Sequence, residues 1–135
     1  MMPLTDEIVG AARAWLGTPY RHRSSMRGAG CDCLGLLRGV WRALYGYEQA
    51  DVPPYGRNPR DPWHARAMEA AAERYLERCA AEPRAGHVVL FRLIATLPPR
   101  HCGIMTSPDR FIHAQERHGV VEANPEEWPL AGAVF

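Results

Sequence analysis

Apolar residues in the first part of the chain recur at every third or fourth position, the spacing of an amphipathic helix. This pattern occurs three times, and a polar capping residue precedes each run. We therefore predict three helices, over about 5–16, 33–45 and 62–81. The candidate caps are Thr5 or Asp6 for the first helix, Asp32 with Gly46 for the second, and Asp61 followed by Pro62 for the third.

The second part of the chain changes to short runs rich in β-branched and aromatic residues, separated by turn formers. Helices followed by strands are typical of an α+β domain, so we predict helices packed on a mostly antiparallel sheet of about five strands, in one domain over 1–135. Residues 18–30 and the proline-rich stretch 51–62 are predicted to be an extended surface loop and a rigid connection. The predicted strands are 87–93, 101–106, 110–115, 119–123 and 131–135.

Composition limits the classes of protein that fit this sequence. The chain has 135 residues and a formal net charge of +1, which favours neither a nucleic-acid binder nor a strongly acidic partner. No segment approaches the roughly 20 apolar residues of a membrane helix, and the N-terminus lacks the pattern of a secretory signal. With 4 cysteines and no such signal, we expect free thiols in a protein made in the cytoplasm.

The stretch GCDCLGLL places Cys33 in the first turn of the second predicted helix, with Asp32 as its cap. Unbonded N–H groups and the positive end of the helix dipole stabilise a thiolate at this position, which makes Cys33 a candidate nucleophile. A cysteine at a helix start can equally be a small apolar side chain in the core. The position alone leaves both interpretations open.

Two histidines strengthen the catalytic interpretation. His101 and His113 lie in consecutive predicted strands on either side of a Ser-Pro-Asp turn. A hairpin centred on Ser107 would place the two side chains directly opposite each other on one face of the sheet. Thiol catalysis requires a nucleophile, a base and a group that orients the base, and we assign these roles to Cys33, His101 and His113.

Side chains alternate between the two faces of a sheet along each strand, which predicts the residues that lie next to these histidines. Gly103 would share the face of His101 and leave space beside the base. Phe111 would lie beside His113 and shield the site. Cys102 and Ile104 would point to the opposite face and belong to the core.

A metal site is the competing interpretation, because Cys31, Cys33, His101 and His113 are all possible zinc ligands. Cysteine pairs in structural zinc sites are usually separated by two to four residues, whereas here Asp32 alone intervenes. The same spacing does not fit a thioredoxin-type redox pair. A catalytic zinc site stays open at this point, and our prediction is a site without metal or other cofactor.

Three blocks of sequence follow one another along the chain: GTPYRHRSSMRGAGCDCLGLL, AGHVVLFR and HCGIMTSPDRFIHA. In this order they resemble the NlpC/P60 cell-wall peptidases, which are papain-like thiol enzymes. The resemblance covers most of the chain, from about Trp15 to about Ala114. It implies the family's fold of helices on a sheet, with Cys33 as nucleophile, His101 as base and His113 as the third member.

The same resemblance implies an activity and two further site residues. Family members typically hydrolyse the amide bond between γ-linked D-glutamate and a diamino acid in peptidoglycan stem peptides, through an acyl-enzyme and without a cofactor. Tyr20 matches a tyrosine that the family keeps near the nucleophile, and we assign Tyr20 and Asp32 to substrate binding. Leu34 stands where the commoner form has serine, and His87 where it has aspartate, so we expect altered substrate contacts there.

The DCLGL form, the short single domain and the missing signal resemble the subgroup encoded with phage tails and related gene-transfer particles. This implies partner proteins in a phage-like tail or baseplate, and delivery to the cell wall as part of the particle. Two other functions fit the same residues. One is a non-enzymatic plug or assembly piece of the tail, and the other is a related thiol acyltransferase or deamidase.

Overall fold

The computed structural model describes residues 4–48, 62–79, 82–92, 99–124 and 131–134, with the backbone alone for 62–67 and 131–134. The fold is α+β, as predicted. Within the described ranges the helices are α1 (Thr5–Arg13), α2 (Cys33–Tyr45) and α3 (Pro62–Tyr75). The strands are β1 (Ser25–Met26), β2 (Gly30–Cys31), β3 (Val88–Phe91), β4 (His101–Ser107), β5 (Arg110–Gln115), β6 (Gly119–Ala123) and β7 (Ala131–Val134).

Five of the strands form one antiparallel sheet in the order β6-β5-β4-β3-β7. Strands β3 to β6 are therefore neighbours in chain order, which is the arrangement expected of strands joined by short turns. The remaining pair, β1 and β2, forms a separate antiparallel hairpin. In the part of the chain that the structure describes, no helix has the length and apolar character needed to span a bilayer.

The main core lies between the first two helices and one face of the sheet. Trp15 after α1 and Leu36 and Val40 of α2 are buried against Ile104 and Ile112 of the sheet. These positions follow the helical and strand periodicities of the sequence, so each element buries one face. A smaller buried cluster occupies the other face of the sheet and consists of Val89, Phe91, Met105 and Phe111.

Helix α2 agrees with its prediction at both ends. Asp32 is its N-cap, and Gly46 ends it in the left-handed conformation at φ 80°, which glycine adopts without steric cost. The expected cap of α1 was wrong, because the helix begins at Thr5 itself after Leu4, which makes no side-chain cap hydrogen bond. This helix also stops at Arg13, since the chain then forms tight turns that bury Trp15.

Three other expectations need correction or fall outside the described ranges. The stretch 18–30 is not simply a surface loop: it contains β1 and the first residue of β2, and Thr18 is buried. Helix α3 ends at Tyr75 rather than near residue 81, because Cys79 lies beside His87 instead of continuing the helix. Ala81, Asp61 and the proline-rich connection before it lie outside the described residues.

Two helical glycines form a matched pair for testing how closely α1 and α2 pack. A Cβ at Gly39 of α2 would collide with the indole ring of Trp15, whereas a Cβ at Gly10 of α1 would meet nothing. We expect Gly39→Ala to lower the free energy of unfolding by about 1–3 kcal/mol through overpacking. Gly10→Ala should raise it by about 0.5–1 kcal/mol through helix propensity. Urea unfolding of both variants measures the difference, and equal effects would contradict the close packing.

Candidate active site

The candidate nucleophile, Cys33, is the first residue of α2 and is partly exposed. The cap before it is well formed, because Asp32 Oδ1 accepts a hydrogen bond of 2.7 Å from the Gly35 N–H. The helix start also presents further N–H groups and the positive end of the dipole to the cysteine side chain. The sequence prediction that Cys33 lies in a capped first turn is therefore confirmed.

The same carboxylate also fixes the loop that precedes the helix. Asp32 Oδ2 accepts a hydrogen bond of 2.7 Å from the N–H of Arg23, which has a left-handed backbone at φ 64°. Left-handed backbone is costly for a residue with a Cβ, so the Asp32 contact stabilises an unfavourable conformation. A Cβ at Gly35 would collide with the Ser24 carbonyl, so the loop lies directly on the first turn of α2.

This use of Asp32 bears on its assignment to substrate binding. The residue is 1% exposed, and both carboxylate oxygens accept backbone N–H groups. The structure therefore shows Asp32 as a support for the nucleophile. Its contact with substrate stays a prediction.

The two predicted histidines are in direct contact, at 2.7 Å between His101 Nε2 and His113 Nδ1. They are not directly opposite each other, which corrects the predicted register. Ile104 pairs with Ile112 and Ser107 with Arg110, so the hairpin turns one residue later than expected and His113 lies diagonally from His101. Diagonal neighbours on one face of a sheet are within reach of long side chains.

His113 is the buried member of the pair. It is 0% exposed, and the ring of Phe111 stacks on it at 4.4 Å between ring centroids. Burial, together with the charge of His101, lowers the pKa of His113 to about 3. At neutral pH His113 is therefore an uncharged ring that can accept the Nε2 proton of His101 in a hydrogen bond and fix its orientation.

Phe111 shields the site as predicted, but Gly103 has a different role from the one expected. A Cβ at Gly103 would collide with the Phe111 ring. The space over Gly103 is thus filled by Phe111, which keeps that ring against His113.

The Cys33 sulfur is stabilised as a thiolate by two side chains. Hydrogen bonds from Cys102 and from His101, with the charge of His101, lower the pKa of Cys33 well below its ordinary value of 9.0. Burial and the Asp32 charge act in the opposite direction and are outweighed. Since His101 Nε2 contacts His113, Nδ1 is the ring nitrogen left for the thiolate. The three predicted residues are thus brought together.

Cys102 is the site residue that sequence reasoning missed. It was assigned to the core, where it is indeed 1% exposed, but its Sγ also donates a hydrogen bond of 3.3 Å to the carbonyl oxygen of Cys33. The first turn of α2 lies at the start of β4, so it contacts His101 and Cys102, whose side chains point to opposite faces of the sheet. No periodicity along the chain predicts where a helix end meets a strand.

The remaining thiols and Tyr20 are not part of the contact chain from Cys33 through His101 to His113. Cys31 is 0% exposed, and burial raises its pKa to about 12, so it stays a thiol. Cys79 Sγ lies 3.9 Å from His87 Nε2, next to the turn at Arg84 rather than at the candidate site. Tyr20 is half-buried and bridges to Cys31 through the backbone, one residue from the cap; its contact with substrate stays a prediction.

A zinc site would require at least three suitable side chains close together. Among the residues that the structure describes, no group of three histidine, cysteine or acidic side chains is arranged so that it could hold a metal ion.

Comparison with known proteins identifies the family of the chain. The model of the NlpC/P60 family matches residues 17–131, a range that includes Cys33, His101 and His113. The chain belongs to the NlpC/P60 family. Among curated proteins, none matches the sequence.

Solved NlpC/P60 structures share the fold at low sequence identity. The NlpC/p60 domain of the peptidoglycan hydrolase SagA superimposes with a TM-score of 0.69 at 19% identity, covering 98% of each chain. NlpC1 from Trichomonas vaginalis gives a TM-score of 0.72 at 15% identity, over 99% of this chain and 45% of that one. An NlpC/P60 protein from Bacillus cereus gives a TM-score of 0.68 at 17% identity, over 99% of this chain and 40% of that one. The chain thus spans nearly the whole length of the SagA domain and less than half the length of the other two proteins.

The buried neutral ring of His113 predicts a pH-dependent stability. Its pKa is about 3 in the folded protein and near 6.5 in the unfolded chain, so between these values the unfolded chain alone takes up the proton. Stability contributed by the neutral ring is complete above about pH 6.5 and is lost as the pH falls towards 3, by about 1.4 kcal/mol per pH unit.

Unfolding by urea at pH 7 and pH 5 measures this effect. From pH 7 to pH 5 the free energy of unfolding of the parent should fall by about 2 kcal/mol more than that of His113→Asn, because asparagine has no proton to gain at this position. The same pH dependence in both proteins would show that the folded state accepts the proton on His113.

Proposed function

We propose that this protein is a cysteine endopeptidase that hydrolyses an amide bond of peptidoglycan stem peptides. The observation that supports it is the contact chain from Cys33 through His101 to His113 on an NlpC/P60 fold. This arrangement has the nucleophile, base and orienting group of thiol hydrolysis. By family resemblance the bond lies between γ-linked D-glutamate and a diamino acid.

Each residue has a defined step in this reaction. The Cys33 thiolate attacks the carbonyl carbon, and the backbone N–H of Cys33 at the start of α2 is the candidate donor to the oxyanion that forms. His101, protonated at Nδ1, gives that proton to the leaving amine. It then takes a proton from water as the water attacks the acyl-enzyme, which releases the carboxylate product and regenerates the thiolate. His113 stays neutral throughout.

Muropeptides of defined stem composition test this function. After incubation we expect a pair of products whose masses sum to that of the substrate plus one water, with the new amine on the diamino acid. Cys33→Ala is the matched blank. Products joined to an added amine would indicate acyl transfer instead, and an unchanged substrate would contradict peptidase activity on that stem.

We also propose, from the DCLGL resemblance, that the protein reaches the wall as part of a phage-like tail or baseplate. The protein should then be detected by mass spectrometry in purified particles, at a fixed ratio to the tail proteins. Its absence from such particles would contradict this route of delivery.

A further inference from the structure

Cys102 occupies a place in the molecule that the triad does not explain. It is the second residue of β4 and points to the face of the sheet that packs on α2, where it is 1% exposed. Its Sγ donates a hydrogen bond of 3.3 Å to the carbonyl oxygen of Cys33. An apolar residue of similar size would fill this space without making that contact.

The same thiol also affects the reacting atom. The side chain of Cys102 lowers the pKa of Cys33, as the hydrogen bond and the charge of His101 do. The interaction with the adjacent Cys33 thiolate, followed by burial, raises the pKa of Cys102 well above its ordinary value, so this thiol keeps its proton while Cys33 loses one. A protonated S–H is a weak donor, but a charged acceptor strengthens any hydrogen bond made to it.

We propose that Cys102 is a positioning residue: its single S–H, which donates to the Cys33 carbonyl oxygen, is shared with the Cys33 thiolate in a three-centre hydrogen bond and holds the nucleophile in its reactive orientation. His101 can pair with the thiolate from one side, and Cys102 supplies a second donor from β4. With two donors the sulfur is fixed between them, so the thiolate is maintained before substrate binds. This inference rests on the proposed role of Cys33 as the nucleophile.

Three substitutions separate hydrogen bonding from packing. Cys102→Ser keeps a short donor, Cys102→Val keeps an apolar side chain without a donor, and Ile104→Val loosens the same face of β4 one side chain further along. Alkylation of Cys33 by iodoacetamide under reducing conditions, followed by peptide mapping, gives the pH midpoint of its reactivity in each protein. Thermal unfolding confirms that each variant is folded.

We expect the midpoint in Cys102→Val to rise by roughly one pH unit, since a lost donor disfavours the charged form. Cys102→Ser and Ile104→Val should keep the midpoint of the parent. In hydrolysis, Cys102→Val should lower kcat with little change in KM. The proposal is overturned if Val and Ser shift the midpoint equally, or if neither shifts it.

Alkylation needs no peptidoglycan, so the two proposals can fail separately. If Cys33 of the parent is alkylated with a low pH midpoint and Cys102→Val has the same midpoint, Cys102 has no positioning role and the proposed peptidase activity still stands. If Cys33 of the parent shows no reactivity near neutral pH, both proposals are wrong.

Discussion

Replacing Cys33 by alanine should lower the rate of peptidoglycan hydrolysis by about 10⁴-fold or more, as loss of a nucleophile does in hydrolases that work through a catalytic triad. No other described thiol can take its place. Cys31 is buried with its pKa raised to about 12, and Cys102 keeps its proton beside the Cys33 thiolate. The change also removes little packing, because Cys33 is partly exposed.

Cys79→Ala is the matched control for this experiment, because Cys79 also lies beside an imidazole. His87 Nδ1 accepts a hydrogen bond of 3.0 Å from the Arg84 N–H, so in the neutral ring the hydrogen is on Nε2, which faces Cys79. That nitrogen cannot accept the thiol proton. We expect Cys79→Ala to release fragments from purified peptidoglycan at the parent rate, and a Cys33→Ala protein that did the same would refute the assignment.

Replacing His101 by glutamine should lower hydrolysis by about 10²–10⁴-fold, the range that general acid–base catalysis contributes. The amide keeps a polar side chain beside His113 but cannot transfer a proton. The loss should also raise the pH at which Cys33 is alkylated, because the hydrogen bond and charge of His101 stabilise the thiolate. Both effects come from one group, so they should appear together.

His87→Gln is the control for His101, since its ring contacts Cys79 and the turn at Arg84. Rates of hydrolysis and of Cys33 alkylation across pH 5 to 9 would be measured for both variants. A His101→Gln protein with a full hydrolysis rate would mean that another group moves the proton. A changed alkylation profile with full hydrolysis would restrict His101 to an electrostatic role.

Local pattern was enough to predict α2 and the sheet. The apolar repeat from Cys33, the cap at Asp32 and the glycine at Gly46 all act within a few residues of one another, so propensity and tertiary packing favour the same ends. The five strands of the main sheet were predicted within a few residues for the same reason, whereas β1 and β2 were not predicted. The start of α1 was predicted less well, because Leu4 occupies the cap position without a side-chain hydrogen bond and Thr5 and Asp6 both lie inside the helix.

The histidine pair shows how a site can be predicted from an incorrect register. The hairpin turns through Pro108 and Asp109, and an irregularity between Met105 and Ser107 shifts the pairing, so His113 faces a position two residues from His101. A shift of two residues keeps both side chains on one face, whereas a shift of one would have separated them. The alternation of side chains along each strand placed both histidines on the same face of the sheet. Their rings are long enough to touch across the diagonal.

The contacts of Cys33 with Cys102 and of Asp32 with Arg23 could not be predicted in this way. The first joins a helix end to a strand 69 residues later in the chain. The second depends on a left-handed residue that is not glycine. Both arise from the docking of separate elements, which hydrophobic periodicity does not describe.

The distance along the chain between Cys33 and the hairpin of β4 and β5 has a consequence for synthesis in the cell. The ribosome releases the cysteine and its helix well before it releases the two histidines that pair on the sheet. Until that hairpin has been made and has docked on α2, the thiol has neither its base nor its second donor. A nascent chain, or one cut by a protease within the hairpin, therefore lacks groups that the proposed hydrolysis requires.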